Sequence, residues 1–567
     1  MTADVGLRAV DLKSDARLSA LDIDGDGDTD LVITQPGASP IVLRNDGGNR
    51  NQWLAVALRG LNDNKSAIGT KLEIFAADLY QKFEVTGLTG AGQSAVSTLA
   101  GLGGRGQIDI LRSLWPTGVL QDEIEIAARQ RRDLLEIDRR GSSCPVLFAW
   151  DGTQYRFIAD MIGSGVFGHW VAPGQLNVPD PTEYVKLEGV TPAPKNGLLS
   201  FRFMEPMEET VYVDQLRLLA IDHPADIDVF PNERFMSNPP FPDFKVITTQ
   251  GAHPPAHAET GGKDVTDLLR TRDRRYVDDM ELLPYRGFTK THTLDIDLGA
   301  KYAGGSLRLL LHGYIEYFTA TGMYAAHQAG IDPMAPTVDA YVNGKWVRVT
   351  DDMGFPAGLR RTVVADFTDK LPRGTEKLRI TTNLQIYWDQ ILIDRSQQID
   401  TRVSEVPLAS AKLRFHGYPR EIAHNEHGDI SYVYEQVSAT GPYTHQNGAY
   451  TRFGDVKRSI ASSDDHFVVF GSGEEIAIDF DPSGLAPLPQ GWKRDYFFFA
   501  DGYEKDMDFY ATDFLSVEPM PFHEMNTYPG IDGRRYPVEQ HLDDLLENDR
   551  FGSAESSRRF RFHYPRH

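Results

Sequence analysis

Short apolar runs alternate with turn-forming residues along most of the chain. In residues 15–60 the runs ARLSALDI, DLVITQ, IVLRN and QWLAVALRG are separated by segments rich in Asp, Asn, Gly and Pro. Runs of this length with such punctuation are typical of β-strands joined by turns. Residues 61–140 continue the pattern in KLEIFAA, QKFEVTG, QIDILRSLW and DEIEIAA. The pattern predicts a mainly β fold.

The rest of the chain repeats this pattern with longer loops. VLFAWDGTQYRFIADM places two apolar runs around Asp151-Gly152, which predicts a hairpin with a tight turn. Residues 224–290 are rich in Pro, Asp and Arg and predict surface loops, with a short helix near VTDLLRTRDRRYV. The strand-like runs of residues 292–395 have the spacing of a jelly-roll-like β-sandwich. Residues 405–567 mix strand-like runs with loops, and PVEQHLDDLLEND has a helical pattern.

The acidic composition of the chain argues against some classes of binding partner. The 567 residues carry a formal net charge of −23, so the phosphates of nucleic acid or of an anionic membrane would be repelled. The alternative is that this charge only favours solubility. We expect no nucleic-acid partner and no transmembrane segment, because no apolar run reaches the length of about 18 residues that a membrane span needs. The N-terminus also lacks the apolar core of a signal peptide.

The most specific chemistry lies in DIDGDGDTD, residues 22–30. Carboxylates at alternate positions converge when such a loop curls, and calcium takes about six to eight oxygen ligands. We predict a calcium (Ca2+) loop between two β-strands, whose ligands are Asp22, Asp24, Asp26, Asp28 and Asp30.

Other interpretations of this loop fit less well. An EF-hand would need a bidentate Glu at position 12 of the loop, where this chain has Ile33 in an apolar run. Magnesium demands a tighter octahedral site. The remaining alternative is a solvated acidic turn, although the spacing and the glycines match a ligand cage.

DIDGDGDTDLVIT followed by LRNDGG resembles one blade of the FG-GAP/VCBS type of β-propeller repeat. The later pieces NQWLAVALRG, SAIGTKLEI, LAGLG and LWPTG resemble, in this order, the ASPIC/UnbV domain of bacterial secreted proteins and of cartilage acidic protein. The resemblance covers residues 15–125, and GLTGAGQSAVST matches the family loosely. It implies calcium-dependent structural or adhesive binding without established catalytic residues. It also implies an extracellular, cell-surface or periplasmic location.

A single blade cannot bury both of its faces, so we expect the chain to be the C-terminal part of a longer propeller protein. We expect five successive regions. They are an FG-GAP/VCBS-like blade with the calcium loop (1–50), an ASPIC/UnbV-like β-domain (51–140), a β-rich domain with long loops (141–290), a galactose-binding-like β-sandwich (291–400) and a C-terminal β-rich region with a loosely ordered tail (401–567).

Residues 291–400 are similar to galactose-binding-like modules, which bind sugars through loop aromatics. This similarity makes a glycan one candidate partner and another protein the second. The candidate ligand-binding aromatics are Tyr314, Tyr317, Tyr324 and Trp346. The alternative is that these side chains belong to the core or are scattered over the surface.

Catalytic motifs are lacking from the sequence. It contains no GxSxG elbow, no P-loop and no HExxH, and the single cysteine, Cys144, precedes the apolar run PVLFAW, which favours a buried thiol. We therefore expect a non-catalytic protein of the binding or adhesion type. The alternative is a carbohydrate-active enzyme, a glycoside hydrolase or lyase with carboxylates in residues 300–510. The carboxylates beside aromatic residues are Asp160, Asp389, Asp455, Asp464, Asp465, Asp501 and Glu504.

Overall fold

The computed structural model describes residues 14–61, 63–89, 92–93, 97–116, 120–137, 144–442, 446, 448, 450–508, 510–525, 527–529 and 534–537. The chain forms two compact units. The first contains the described residues of 1–139 and 439–443, and the second contains those of 140–438 and 444–556. The predicted helix in PVEQHLDDLLEND lies outside the described residues from residue 538 onward.

The first unit begins with a three-stranded antiparallel sheet, in which Arg17 pairs with Thr34 and Leu21 pairs with Asp30. The acidic segment 22–30 therefore joins two antiparallel strands, as the sequence predicts. The strands of this part are β1 Arg17–Leu21, β2 Asp30–Thr34, β3 Ile41–Leu43, β4 Gln52–Arg59, β5 Lys71–Ala76, β6 Leu79–Glu84, β7 Leu88–Thr89, β8 Gly92–Gln93, β9 Ser97–Gly103, β10 Gln107–Leu114, β11 Leu120–Ala127 and β12 Gln130–Leu135.

The second unit contains most of the remaining strands. They are β13 Val146–Trp150, β14 Tyr155–Asp160, β15 Trp170–Ala172, β16 Gln175–Leu176, β17 Thr182–Lys186, β18 Pro194–Lys195, β19 Leu198–Met204, β20 Thr210–Pro224, β21 Asp228–Pro231, β22 Val246–Thr249, β23 His257–Thr260, β24 Lys263–Asp264, β25 Phe288–Asp297, β26 Arg308–Ile315, β27 Thr337–Val342, β28 Lys345–Thr350, β29 Arg361–Asp366, β30 Lys377–Leu384, β31 Ile386–Asp394, β32 Arg402–Val406, β33 Leu408–Phe415, β34 Tyr418–Ala423 and β35 Ile430–Ser438. The strands that follow are β36 Thr440–Pro442, which lies in the first unit, and β37 Gly454–Asp455, β38 Val468–Phe470, β39 Glu474–Phe480 and β40 Trp492–Lys505.

The core of the first unit lies between two further sheets. One has the order β36-β11-β10-β5-β6 and the other the order β12-β4-β9. Their apolar faces share a buried cluster that includes Leu54, Leu72, Ile108 and Trp115. β36 joins the edge of the first sheet by pairing with β11, although more than 300 residues separate the two strands along the chain (Glu123 pairs with Thr440). A segment far along the sequence thus completes this sheet.

The second unit contains an outer sandwich. One of its sheets has the order β14-β13-β19-β39-β33-β37 and the other the order β17-β40-β20-β32. Buried side chains from both sheets, among them Phe201, Phe203, Ile478 and Phe498, form its core. The two longest strands, β20 and β40, pair along almost their whole length. The outer sandwich thus combines strands from both ends of the second unit.

An inserted sandwich lies between β20 and β32 along the chain. Its sheets have the orders β24-β23-β25-β30-β27-β28 and β29-β26-β31, and a core that includes Ile296, Leu309 and Ile391 fills the space between them. The chain leaves the outer sandwich at the end of β20 and returns at β32, where Asp222 pairs with Arg402. The ends of the insertion therefore lie on neighbouring strands.

Several local predictions are confirmed. The fold is mainly β, the hairpin around Asp151 forms from β13 and β14, and Cys144 is buried. The helix predicted near residue 270 is only a 3-10 turn, Thr266–Leu269. The sequence pattern missed the α-helix α1, Ala320–Gln328, which the Thr319 side chain caps by accepting a hydrogen bond from the Gly322 amide. Among the described residues, no helix has the length and hydropathy that spanning a lipid bilayer would require.

Candidate metal centre

The acidic loop curls around its own first carboxylate. Asp22 accepts a hydrogen bond from the Gly25 amide through Oδ1 (2.7 Å) and one from the Gly27 amide through Oδ2 (3.1 Å). Both glycines have positive φ angles, +76° and +92°, which an L side chain rarely adopts. The two glycines therefore allow the loop to fold back on Asp22.

A second loop, residues 44–49 after β3, packs against the acidic loop. Asp30 accepts hydrogen bonds from the amides of Ile23 (2.9 Å) and Asn45 (2.7 Å). Asp28 Oδ2 accepts one from the Gly48 amide (2.9 Å), and Asp26 Oδ2 accepts one from Asn49 Nδ2 (2.9 Å). Backbone and amide donors thus hold the carboxylates of the second half of the loop in place.

Three of the five predicted ligands come together. One carboxylate oxygen each from Asp22, Asp24 and Asp30 lies within 4.8 Å of the other two, close enough for a single cation to contact all three. Asp26 and Asp28 do not belong to this group of three. Asp28 is nevertheless buried, and its Oδ1 has no hydrogen-bond partner. Burial, together with the neighbouring charges of Asp26 and Asp30, raises the pKa of Asp28.

These features suit a hard divalent cation. Calcium prefers carboxylate oxygens, and an orphaned buried oxygen is costly unless an ion or a donor satisfies it. Arg44 lies 2.8 Å from Asp24, and its side chain is largely exposed. It can therefore move away from Asp24 when a cation arrives.

Trp53, at the start of β4, covers the loop at Gly27. A Cβ atom built on Gly27 would lie 1.9 Å from Trp53 Cε2, far inside any van der Waals contact. Only glycine therefore permits this packing. The acidic loop is in this way joined to the β-domain that follows it.

The predicted aromatics do not gather in one place. Tyr314 is fully buried and stacks on Tyr387 at 4.8 Å, so the structure places it in the core and not at a ligand surface. The other three side chains are half-buried. Tyr317 stacks on Phe318, Tyr324 on Tyr510, and Trp346 packs against Tyr341 and Arg379.

A second polar cluster lies in the outer sandwich. His523 Nδ1 is 2.7 Å from Asp465 Oδ1, and His523 Nε2 is 2.8 Å from Asp501 Oδ1. Asp214 Oδ2 accepts hydrogen bonds from the amides of Asp464 and Asp465 (2.9 Å each) and lies 3.6 Å from His523 Nδ1. Asp465 and Asp501 are among the carboxylates considered for the alternative enzyme, whereas Asp214 and His523 were missed.

The sequence contained one signal for this cluster. Asp214 interrupts the apolar run VYVDQLRLL, and the structure places it in a β-bulge of β20, between the pairs Val213–Gly502 and Gln215–Asp501. Bulges re-aim side chains and often lie beside functional sites. The approach of His523 could not be seen, because more than 300 residues separate it from Asp214 along the chain.

In the metal-free protein this cluster should make stability depend on pH. Partial burial lowers the pKa of His523, but hydrogen bonds to Asp465 and Asp501 outweigh it and raise the pKa to about 10. Burial also raises the pKa of Asp214 to about 7. A folded-state pKa above the unfolded value gives stability that is present at low pH and lost as the pH rises. For His523 the loss should run from about pH 6.5 to pH 10.

The measurement is urea unfolding at a series of pH values, in chelator, for wild type and for His523→Gln. We expect the free-energy difference between the two proteins to shrink as the pH rises through this window. Besides its two carboxylate partners and Asp214, the imidazole meets the rings of Phe467 and Tyr503. A constant difference between wild type and variant would contradict the prediction.

Comparison with known families finds matches for two segments in the first unit of the chain. Residues 16–51 match the FG-GAP repeat, and residues 60–141 match the ASPIC and UnbV family. The chain contains an FG-GAP repeat followed by an ASPIC/UnbV domain. The acidic loop lies inside the FG-GAP repeat, and Trp53 lies between the two matched segments. No curated protein and no solved structure matches the chain. This domain content is consistent with an extracellular protein of the adhesion type.

Proposed function

We propose that this is a calcium-stabilised, non-catalytic binding or adhesion protein that works outside the cytoplasm, at the cell surface, in the periplasm or in the extracellular space. The observation that carries the proposal is the geometry of the loop in the FG-GAP repeat. Asp22, Asp24 and Asp30 can reach one ion, and the buried Asp28 has an oxygen without a partner. Asp22, Asp24, Asp26, Asp28 and Asp30 are the proposed ligand set.

Calcium would act here as a structural ion. Five carboxylates within nine residues repel one another, and a divalent cation offsets this repulsion. The loop also contacts the 44–49 segment and Trp53, so fixing the loop fixes the junction between the FG-GAP repeat and the ASPIC/UnbV domain. The expected consequence is a rigid junction between these two domains of the first unit.

The proposal predicts that chelation destabilises the first unit. At a free calcium concentration of about 100 times Kd, calcium should stabilise the folded state by about 2.7 kcal/mol, and the effect should grow with concentration. The measurement is thermal unfolding of the full chain with and without chelator. Tryptophan fluorescence is the signal that reports unfolding, since Trp53 packs on the loop.

Two double variants sharpen this test. Asp24→Ala/Asp26→Ala should unfold at the same temperature with and without calcium. Asp78→Ala/Asp133→Ala removes the same charge from exposed sites of the same unit, where the partners are Arg105 and Arg131, and should keep the full calcium response. An unfolding temperature of wild type that calcium leaves unchanged would refute the ligand cage.

The proposed partner is a glycan or another protein. The negative net charge argues against nucleic acid. Among the predicted aromatics, Tyr324 supports a surface contact best, because it stacks at 3.9 Å on Tyr510, an exposed ring, and meets Trp170 at 5.2 Å. Trp170 meets Tyr324 edge-on, at 75°, so the exposed ring of the Tyr324–Tyr510 stack is the part that offers apolar area to a sugar or a protein loop.

A further inference from the structure

We propose that Asp214, Asp465 and His523 form a second metal site, in the outer sandwich, which binds a divalent transition metal of the zinc class. This site is independent of the calcium loop and goes beyond the proposed function. One ligand atom from each of the three residues lies within 4.8 Å of the other two. Such a spacing is close to that of three ligands around one ion.

The donor set favours a transition metal over calcium. Calcium and magnesium take oxygen ligands, whereas zinc combines imidazole nitrogen with carboxylate oxygen. His523 would ligate through Nδ1, the nitrogen that faces both Asp465 and Asp214. Manganese accepts the same donors and is the closest competitor.

Asp214 has a buried carboxylate oxygen without a partner, which is the second observation that indicates a bound metal ion. Its side chain is fully buried, and Oδ1 has no hydrogen-bond partner. Oδ2 already accepts two backbone hydrogen bonds, so the orphaned oxygen belongs to a carboxylate that is firmly held. A buried oxygen of this kind is rare in native proteins unless an ion or water satisfies it.

Asp501 orients the imidazole for metal binding. It accepts a hydrogen bond from Nε2–H of His523 and in turn accepts one from the Ser463 hydroxyl. A carboxylate on the far nitrogen fixes the tautomer and strengthens the imidazole as a ligand, an arrangement common around zinc-bound histidines. Asp501 is therefore a positioning residue.

The charges also suit a divalent cation. Three carboxylates, Asp214, Asp465 and Asp501, surround a single imidazole. A metal ion that displaces the proton from Nδ1 leaves the cluster closer to neutrality. The side chain of His523 is 29% exposed, which leaves a path for the ion and room for a water ligand.

The chain offers a matched pair of variants. Asp464 is exposed and caps the turn by accepting from Ser462 Oγ (2.7 Å), whereas its neighbour Asp465 is the proposed ligand. Asp465→Asn and Asp464→Asn make the same chemical change one residue apart. Only Asp465→Asn should damage the site.

The test is titration of the full chain with Zn2+ in saturating calcium, which fills the other loop. We expect one zinc ion per chain, at least about tenfold weaker binding in Asp465→Asn, and wild-type binding both in Asp464→Asn and in Asp24→Ala/Asp26→Ala. Cobalt in place of zinc should give visible absorption that Asp465→Asn abolishes. Parallel titrations with manganese and magnesium establish the preference.

His523→Gln removes the nitrogen ligand and serves as the second test if Asp465→Asn does not fold. Absence of saturable zinc binding in wild type would overturn the proposal. So would zinc affinity that both Asp465→Asn and His523→Gln leave unchanged. Loss of the calcium response alone would refute the calcium loop and leave this site standing.

Discussion

Replacing Arg361 by Met should lower the free energy of unfolding of the second unit by about 3–5 kcal/mol. Arg361, at the start of β29, is buried and donates hydrogen bonds to the carboxylates of Asp160 and Glu183. These partners lie on β14 and β17, so one guanidinium joins three different sheets. Methionine fills a similar volume but leaves two buried carboxylates without their cation.

Urea unfolding of wild type and variant measures this loss. Arg348→Met is the matched control, because Arg348 makes ion pairs with Asp339 (2.8 Å) and Asp351 (2.7 Å) at the surface, where such pairs contribute less than about 1 kcal/mol. Neutralising the partners in Arg361→Met/Asp160→Asn/Glu183→Gln should recover part of the stability. Equal effects of the Arg361 and Arg348 substitutions would contradict the expectation.

Gly27→Ala should destabilise the first unit more than Gly25→Ala does, by about 1–3 kcal/mol. Both positions have positive φ angles, so each alanine carries a similar backbone penalty of about 1–2 kcal/mol. They differ in their surroundings, because a Cβ at Gly25 meets nothing within 4 Å, whereas a Cβ at Gly27 overlaps the Trp53 ring.

Thermal unfolding and calcium titration of both variants provide the measurement. Gly25→Ala should keep more of the calcium response than Gly27→Ala does, whereas Gly27→Ala should displace Trp53 and alter the tryptophan emission spectrum even before unfolding. Identical unfolding temperatures for the two variants would show that the Trp53 contact adds nothing.

Local features of the fold could be predicted from the sequence. The Asp151-Gly152 turn forms the predicted hairpin, since Asp151 Oδ1 accepts hydrogen bonds from the amides of Thr153 (2.7 Å) and Gln154 (2.9 Å). The acidic loop was predictable in the same way, because amides within the loop donate hydrogen bonds to its own Asp22 carboxylate. In both places the residues that determine the conformation are within a few positions of one another.

Long-range pairing could not be predicted. Nothing in the local pattern indicates that β20 pairs with β40, or that β36 adds to the edge of β11. The alternation of apolar residues determines that a strand forms and which face is buried, but many strands share that pattern. The sequence pattern predicted two separate regions, 141–290 and 401–567. In the structure, the outer sandwich takes strands from both of these regions.

The two candidate metal sites differ in the same way, since one is formed by neighbouring residues and the other by distant ones. The proposed ligands of the acidic loop all lie within residues 22–30, so their spacing was visible in the sequence. The cluster around His523 assembles from a bulge in β20, a turn before β38, the strand β40 and the segment that follows it. Its members became visible as a group only once those elements were brought together.

The pairing of Asp222 with Arg402 makes the segment between them a removable module. Because it departs from and returns to adjacent strands, evolution can exchange, enlarge or delete it without rebuilding the host sandwich, as in a domain inserted into a surface loop.

The buried contacts of Arg361 with Asp160 and Glu183 restrict that freedom. Any replacement module must either supply a cation at that position or be accompanied by neutral residues in the host. A survey of related chains should therefore find these three positions changing together.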